Sequence, residues 1–245
     1  ERGDIAPGAP VSFCVPTGNF GDILAGYYAK RMGLPVEKLI CASNDNKVLY
    51  DFFKTGVYDK NRPFILTSSP SMDILISSNL ERLIYLSTGC DAEETKKRME
   101  ELSKDGKYSV TDKMRARMAD FVGGYADQAA NAVEIKRLYD ETGYMIDTHT
   151  GVASCVYHNY VKETGDTKKT VIASTASPYK FSRSVMEAIF GSEEGKGEFE
   201  LIDEMEKASG VKIPQAIEEI RKAEIRHNRQ CKPEEMEKTV SEILQ

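Results

Sequence analysis

The chain is poor in the residues that most often build metal sites and disulfide frameworks. It has no tryptophan, three histidines and five cysteines among 245 residues, and no two cysteines lie close together in the sequence. An odd number of dispersed thiols does not match a zinc site or a disulfide-stapled secreted domain. We therefore expect free thiols in a reducing compartment and no bound metal.

Features of membrane spanning and polyanion binding are also missing. No apolar run approaches the roughly 20 residues that cross a bilayer, and no charged start precedes a short apolar stretch as in a signal peptide. The net charge is −6, and acidic side chains are interspersed among the lysines and arginines, which disfavours nucleic acid as a partner. The sequence predicts a cytoplasmic protein that binds neither membrane nor nucleic acid.

What the chain does contain, near its start, is a strand, turn, helix and strand in succession. Residues 11–15 (VSFCV) are a short apolar run that ends at Pro16, which cannot donate to a sheet. We predict Asp22 as the N-cap of the following helix and residues 38–42 (KLICA) as the next strand. Strands that alternate with helices favour an α/β fold with a parallel sheet.

The same alternation returns late in the chain. A helix is predicted over residues 151–161, with Thr148 or Thr150 as its cap, and a strand over residues 170–175. A further helix is predicted over residues 183–190, which Gly191 ends. These elements extend the same α/β pattern.

Two other regions are charged and mainly helical in period. Residues 71–144 predict a helical insertion, one of whose helices covers residues 111–121. Residues 199–245 predict a helical tail of short amphipathic segments. The first region differs in texture from the strand-containing parts. We expect a parallel sheet that is interrupted by this insertion and closed by the tail.

The run between the first strand and the first helix, residues 16–22 (PTGNFGD), is the strongest candidate for a ligand site. In an open α/β sheet, ligands bind at the carboxyl ends of strands, where the next helix presents unpaired N–H groups and the positive end of its dipole. Two glycines let the backbone approach an anion closely. The run is neither a Walker loop nor a Gly-x-Gly-x-x-Gly fingerprint. It predicts a phosphate-binding loop, and the alternative is a glycine turn selected only for tightness.

This run resembles the phosphate loop of threonine synthases, pyridoxal phosphate (PLP) enzymes of fold type II, the tryptophan-synthase-like group. Three further strings occur in the order that the family shows, namely residues 69–82 (SPSMDILISSNLER), 147–153 (DTHTGVA) and 174–181 (STASPYKF). Four matches in order are much more specific than any one. The resemblance implies that residues 1–245 are the carboxy-terminal part of the large PLP-binding domain, an open and mostly parallel sheet with a helical insertion and a helical tail.

The resemblance also implies roles for individual residues. The phosphate of PLP would be held mainly by backbone N–H groups of Gly18, Asn19, Phe20, Gly21 and Asp22. Thr175 would hydrogen-bond the pyridine nitrogen, where a neutral hydroxyl leaves that nitrogen largely unprotonated. PLP is then a weaker electron sink, which suits elimination and replacement chemistry.

Two further residues are candidates for contacts with the substrate. Lys180 would meet the substrate's phosphate as a point charge, and its alternative is an exposed, solvated lysine. His149 would line the cleft, and its alternative is a structural role at the start of its helix. Four positions depart from the family's pattern: Thr148, Gly151, Ser177 and Tyr179 stand where it often has Pro, Ala, His and Ala.

The family's lysine that holds PLP covalently, in a Ser-Phe-Lys-Asp type motif, has no counterpart in the sequence. We expect this lysine and the small domain upstream, in an amino-terminal portion of the same enzyme, and no catalytic residue within residues 1–245. The activity that the resemblance implies is conversion of O-phospho-L-homoserine and water to L-threonine and phosphate, with the fragment inactive alone. The alternatives are a phospho-lyase that releases phosphate and 2-oxobutyrate, and a non-catalytic anion-binding homologue.

Overall fold

The computed structural model describes residues 4–244, which form an α/β fold with helices on both faces of a sheet. The strands in this part of the chain are β1 (Val11–Pro16), β2 (Val36–Ser43), β3 (Val57–Asp59), β4 (Lys107–Ser109), β5 (Phe121–Tyr125) and β6 (Thr170–Ile172). The helices are α1 (Gly21–Arg31), α2 (Val48–Thr55), α3 (Leu80–Thr88), α4 (Ala92–Asp105), α5 (Asp112–Arg117), α6 (Gln128–Thr142), α7 (Thr148–Thr164), α8 (Ser182–Phe190), α9 (Glu198–Ser209), α10 (Gln215–Lys222) and α11 (Met236–Ile243). Short 3-10 helices cover Pro70–Met72, Pro178–Phe181 and Pro233–Glu235.

The main sheet has four parallel strands in the order β5-β2-β1-β6, and β3 and β4 form a separate antiparallel pair. From β1 the chain builds outward through β2 to β5, and it returns on the other side of β1 with β6. The strand order therefore reverses between β1 and β6. Such a switch point leaves a crevice at the carboxyl ends of the two strands, which is where open α/β sheets bind ligands.

Alternating side chains of the strands fill two hydrophobic cores, one on each face. Val15, Leu39 and Cys41 pack with α1, α2 and α3, whereas Cys14 and Ile40 pack with α7. This division follows from the two-residue period of a strand. Burial on both faces explains the apolar runs at residues 13–15 of β1 and residues 39–42 of β2. It also raises the pKa of the Cys41 thiol to about 12, so this cysteine is inert.

The region predicted as a helical insertion, residues 71–144, is not separate from the sheet. Its last part contains β5, which pairs with β2 from Leu39 opposite Phe121 to Ser43 opposite Tyr125. The predicted helix over residues 111–121 was therefore wrong beyond Arg117, where α5 ends. The aromatic ring of Phe121 is buried against α1 and α2, and this packing overrides the local helical pattern.

The chain divides into two compact units, residues 1–211 and 212–245. The region predicted as a helical tail, residues 199–245, contains α9, α10 and α11, and α9 belongs to the first unit, where it packs on α8. The second unit contains α10 and α11, neither of which buries a side chain. Within residues 4–244 there is no helix with the length and apolar character to cross a membrane.

Candidate anion-binding site

The predicted phosphate loop follows β1, beside the switch point of the sheet. Its second residue, Thr17, is anchored to the sheet, because its N–H donates to the carbonyl of Ala42 at 2.8 Å and its hydroxyl donates to the carbonyl of Val15 at 2.7 Å. The loop then runs through Gly18 and Asn19 into α1, which begins at Gly21. The loop thus has a rigid entry and a rigid exit.

The backbone N–H groups of the loop are mostly without acceptors. The N–H of Gly21 donates to the side-chain oxygen of Asn19 at 3.1 Å, and the N–H of Leu24 donates to the carbonyl of Phe20 at 3.1 Å. Within residues 4–244, no acceptor meets the N–H groups of Gly18, Asn19, Phe20, Asp22 and Ile23. Unpaired donors at a helix start are suited to binding an anion, so this loop is the candidate site.

The carbonyl groups of the loop, in contrast, are hydrogen-bonded. The hydroxyl of Ser77 donates to the carbonyl of Gly18 at 2.7 Å, and Asn79 donates to the carbonyl of Asn19 through both its backbone and its side-chain N–H, each at 3.0 Å. In a trans peptide the C=O and the next N–H point in opposite directions. The N–H groups of Asn19 and Phe20 are therefore aimed away from residues 77–79.

Gly18 lies against the backbone of the segment over residues 69–79, which we call the backing segment. A Cβ atom at Gly18 would be 2.6 Å from the carbonyl oxygen of Ser71 and 3.2 Å from the Cα of Met72. Both neighbours are backbone atoms, which cannot move aside as the tip of a flexible side chain can. Only glycine fits this position of the loop.

Phe20 anchors the loop to the hydrophobic core. Its side chain is fully buried, with its ring centroid 6.0 Å from that of Phe53 and 5.5 Å from that of Phe121. Its φ of 71° is left-handed, a conformation that costs a non-glycine residue about 1–3 kcal/mol. Burial of the ring offsets this cost and turns the backbone where the helix begins.

The prediction that Asp22 caps the first helix was wrong. Phe20 occupies the N-cap position, and Asp22 is an exposed residue in the first turn of α1. The cap-like hydrogen bond comes instead from Asn19, which accepts from Gly21. An acidic side chain in the first turn still interacts favourably with the helix dipole.

A buried polar network lies at the start of α7. Asp147 is its N-cap, rather than the predicted Thr148 or Thr150, and accepts from the N–H of His149 at 2.8 Å and the N–H of Thr150 at 3.4 Å. It also accepts from the hydroxyl of Thr150 and pairs with Nδ1 of His149 at 3.0 Å. Burial alone would raise the pKa of Asp147, but these hydrogen bonds together outweigh burial and lower it.

The same network connects the sequence strings that surround the loop. Nε2 of His149 accepts the N–H of Ser71, at 3.2 Å, in the backing segment. The hydroxyl of Thr150 lies 3.3 Å from that of Ser174, just before Thr175. Residues as far apart in the sequence as Ser71 and His149 therefore meet around one site.

The remaining candidates lie beyond the end of β6. This strand ends at Ile172 rather than at the predicted residue 175, so Thr175 is an exposed residue of the loop that follows it. The loop and Gly18 follow neighbouring strands, because Cys14 in β1 is paired with Ile172 in β6. Lys180 is also exposed, with its ammonium 5.4 Å from the ring centroid of Phe181.

The four departures from the family's pattern have local explanations. Thr148 is the first residue of α7, where proline is also favoured. Ser177 accepts the N–H of Tyr179 at 3.3 Å, and the buried Tyr179 donates its hydroxyl to the carbonyl of Val211. A Cβ at Gly151 would meet α6, where Asn131 and Ile135 lie 2.3 and 2.8 Å away.

Several residues of the site carried no role in the sequence interpretation. Ser77 and Asn79 bind the carbonyls of the loop, Ser71 contacts Gly18, and Asp147 organises the buried network. Their only signal in the sequence was membership of the strings at residues 69–82 and 147–153. Periodicity cannot reveal such contacts, since they join distant parts of the chain.

Comparison with known proteins points to one family. Residues 150–231 match the family model "Threonine synthase, C-terminal". The chain is 40% identical over 191 residues to threonine synthase-like 1 of Macaca fascicularis, covering 77% of this chain and 25% of that protein. It is 38% identical over 218 residues to threonine synthase of Saccharomyces cerevisiae, covering 82% of this chain and 42% of that protein.

A solved structure agrees with the sequence comparison. The crystal structure of PLP-bound threonine synthase from Brucella melitensis superposes with a TM-score of 0.71 at 39% identity, covering 81% of this chain and 42% of that chain. The chain thus spans less than half the length of these relatives. On the family model, the relatives and the shared fold, the chain belongs to the threonine synthase family and corresponds to its carboxy-terminal region.

Proposed function

We propose that the chain forms the cofactor-binding part of a PLP-dependent enzyme that converts O-phospho-L-homoserine and water to L-threonine and phosphate. The observation that carries this proposal is the run of unpaired N–H groups after β1, beside the switch point of the sheet. The similarity to a PLP-bound threonine synthase supports a PLP phosphate as the anion.

The residues present fit this group. Backbone N–H groups of Gly18, Asn19, Phe20 and Asp22 would hold the phosphate, and the side chain of Asn19 keeps Gly21 in place as the helix starts. Thr175, on the loop after the neighbouring strand, would bond the pyridine nitrogen. When bound, PLP supplies an electron sink for elimination and replacement at the substrate's carbons. The contribution of this chain would be to bind PLP and to orient it.

Lys180 can contact a substrate, whereas His149 cannot. The ammonium of Lys180 is exposed on the segment that follows Thr175, so it is available to pair with the substrate's phosphate. Both ring nitrogens of His149 are already hydrogen-bonded within the protein. We therefore keep Lys180 as a substrate-binding residue and not His149.

The lysine that carries PLP would come from the amino-terminal portion of the same enzyme, which would also cover the site. Apolar side chains exposed around the backing segment support such a partner: Phe64, Leu66 and Ile76 are 53%, 80% and 51% exposed. Exposed apolar groups concentrated beside a ligand site are typical of an interaction surface.

Titration of PLP, followed by its absorbance, tests the proposal together with an assay for threonine. Residues 1–245 alone are expected to bind phosphate or PLP weakly and to form no threonine, whereas the full enzyme forms it. Threonine production by residues 1–245 alone would contradict the division of roles. Failure of the full enzyme to bind PLP would contradict the function.

The 40% identity to threonine synthase-like 1 supports a second candidate activity. That second activity would be a phospho-lyase reaction that releases phosphate, ammonia and 2-oxobutyrate from the same substrate, with water hydrolysing the imine instead of adding at Cβ. Product analysis of the full enzyme separates the two, because phosphate appears in both and threonine in only one. PLP binding without either product would indicate a non-catalytic homologue.

A further inference from the structure

We propose that His149 is a positioning residue for the anion-binding loop, acting on Gly18 through the backbone of Ser71. This inference rests on the proposed function, since it assigns the histidine to the placement of the phosphate-binding amides. It replaces the expectation that His149 touches substrate.

The hydrogen bonds of His149 determine its protonation pattern. Nε2 receives the N–H of Ser71 at 3.2 Å, so it must be the unprotonated nitrogen. Nδ1 lies 3.0 Å from the carboxylate of Asp147 and therefore carries the proton and donates it. The ring is 2% exposed and packs 4.7 Å from the ring of Phe181, so water does not compete for either bond.

The restraint passes through one residue to the loop. The N–H of Ser71 is bound to the histidine, and its carbonyl is the atom that a Cβ at Gly18 would approach to 2.6 Å. A displacement of Ser71 toward the loop would press on Gly18, and a displacement away would leave Gly18 unsupported. The position of the neighbouring amides of the loop therefore depends on where His149 holds Ser71.

Other contacts also hold the backing segment, which limits the size of the effect. Asp73 accepts from the hydroxyl and the N–H of Thr67 and from the side-chain amides of Asn44 and Asn46. Ser77 binds the carbonyl of Gly18 directly. Removal of the histidine bond should weaken anion binding without abolishing it.

Two substitutions separate the two hydrogen bonds of the ring. In His149→Gln, the amide oxygen can occupy the place of Nε2 and still accept from Ser71, while the bond to Asp147 is lost. In His149→Asn, the shorter side chain can still donate to Asp147 from the place of Nδ1, while Ser71 loses its acceptor. Each variant loses one bond of the same side chain, so each is the control for the other.

The test measures the affinity of the full enzyme for inorganic phosphate and for PLP, together with its free energy of unfolding in urea. We expect His149→Asn to weaken both affinities by about ten-fold, the lower end of what outer-shell partners contribute at metal sites. His149→Gln should remain close to wild type. Equal affinities in wild type and both variants, or losses that follow unfolding stability rather than the bond removed, would overturn the proposal.

Two measurements on the wild-type protein cover the case in which a variant does not fold. Nitrogen NMR of the imidazole should show a protonated Nδ1, and hydrogen exchange should show a protected amide at Ser71 with or without phosphate. A protonated Nε2 or a rapidly exchanging Ser71 amide overturns the inference alone. If the wild-type full enzyme binds neither phosphate nor PLP, the proposed function is overturned, and this inference with it.

Discussion

Replacement of Gly18 by alanine tests the geometry of the anion-binding loop most directly. The added Cβ would lie 2.6 Å from the carbonyl oxygen of Ser71, 3.0 Å from the side chain of Ile74 and 3.2 Å from the Cα of Met72. The φ of Gly18 is not in the left-handed region, so alanine is acceptable to the backbone itself. The perturbation is therefore purely steric.

The expected magnitude follows from the rigidity of the neighbours. An ordinary van der Waals contact begins near 3.4 Å, so the backbone of the loop or of the backing segment must retreat by about 0.8 Å. Overpacking of this kind lowers the free energy of unfolding by about 1–3 kcal/mol. Replacement of glycine by alanine also restricts the unfolded chain, which raises the free energy of unfolding by about 0.4–1 kcal/mol. We expect the variant to be about 1–2 kcal/mol less stable. Its displaced amides should bind phosphate and PLP about ten-fold or more weakly.

Gly21→Ala is the matched control in the same loop. There a Cβ would lie 3.3 Å from Asn79 and 3.4 Å from Asn19, close to an ordinary contact, so their hydrogen bonds to the loop can stay in place. Urea unfolding and PLP titration should both place this variant near wild type and Gly18→Ala well below it. If the two alanine variants bind PLP equally well, the close approach of Ser71 does not constrain the loop and the reasoning is refuted.

Three further substitutions test the surroundings of the site. Phe20→Ala removes a fully buried ring and should cost about 3–5 kcal/mol in urea unfolding; a loss below about 1 kcal/mol would show that the ring does not anchor the loop. Asp147→Asn should cost about 2 kcal/mol at neutral pH. The pKa of Asp147 is lowered in the folded protein. Its contribution to the free energy of unfolding is therefore complete above the unfolded pKa of about 3.9 and is lost as the pH falls through the folded pKa. The stabilities of wild type and Asp147→Asn should therefore converge in acid. Gly151→Ala should lower stability by about 1–3 kcal/mol, because a Cβ at this position would meet the side chain of Asn131. The loss should be smaller in an Asn131→Ala background. Additive losses in this double-mutant cycle would contradict the contact between Gly151 and Asn131.

The sequence was most informative where local rules decide the structure. The apolar runs of β1 and β2, the break at Pro16 and the helix after the glycine-containing loop follow from strand burial and turn chemistry, which operate over a few residues. The helix caps were harder to predict. Asp22 and Thr148 are chemically suitable caps, but Asn19 and Asp147 accept the N–H groups of these helix starts instead.

The resemblance to threonine synthases gave the family and its fold, and the comparisons confirm both. It could not show why glycine is required at position 18 or why His149 is buried. Both involve Ser71, whose carbonyl lies against Gly18 and whose N–H donates to His149, and these contacts join distant parts of the chain.

Residue order alone therefore determined the alternation of strands and helices and the presence of a glycine-containing loop between the first strand and helix, because burial and backbone conformation act locally. Only the tertiary structure decided which way the loop amides point and what holds them there. Those properties come from the hydrogen bonds of Ser77 to Gly18 and of Asn79 to Asn19, which join residues about 60 positions apart in the sequence. They also come from the chain's return beside β1, which creates the switch point.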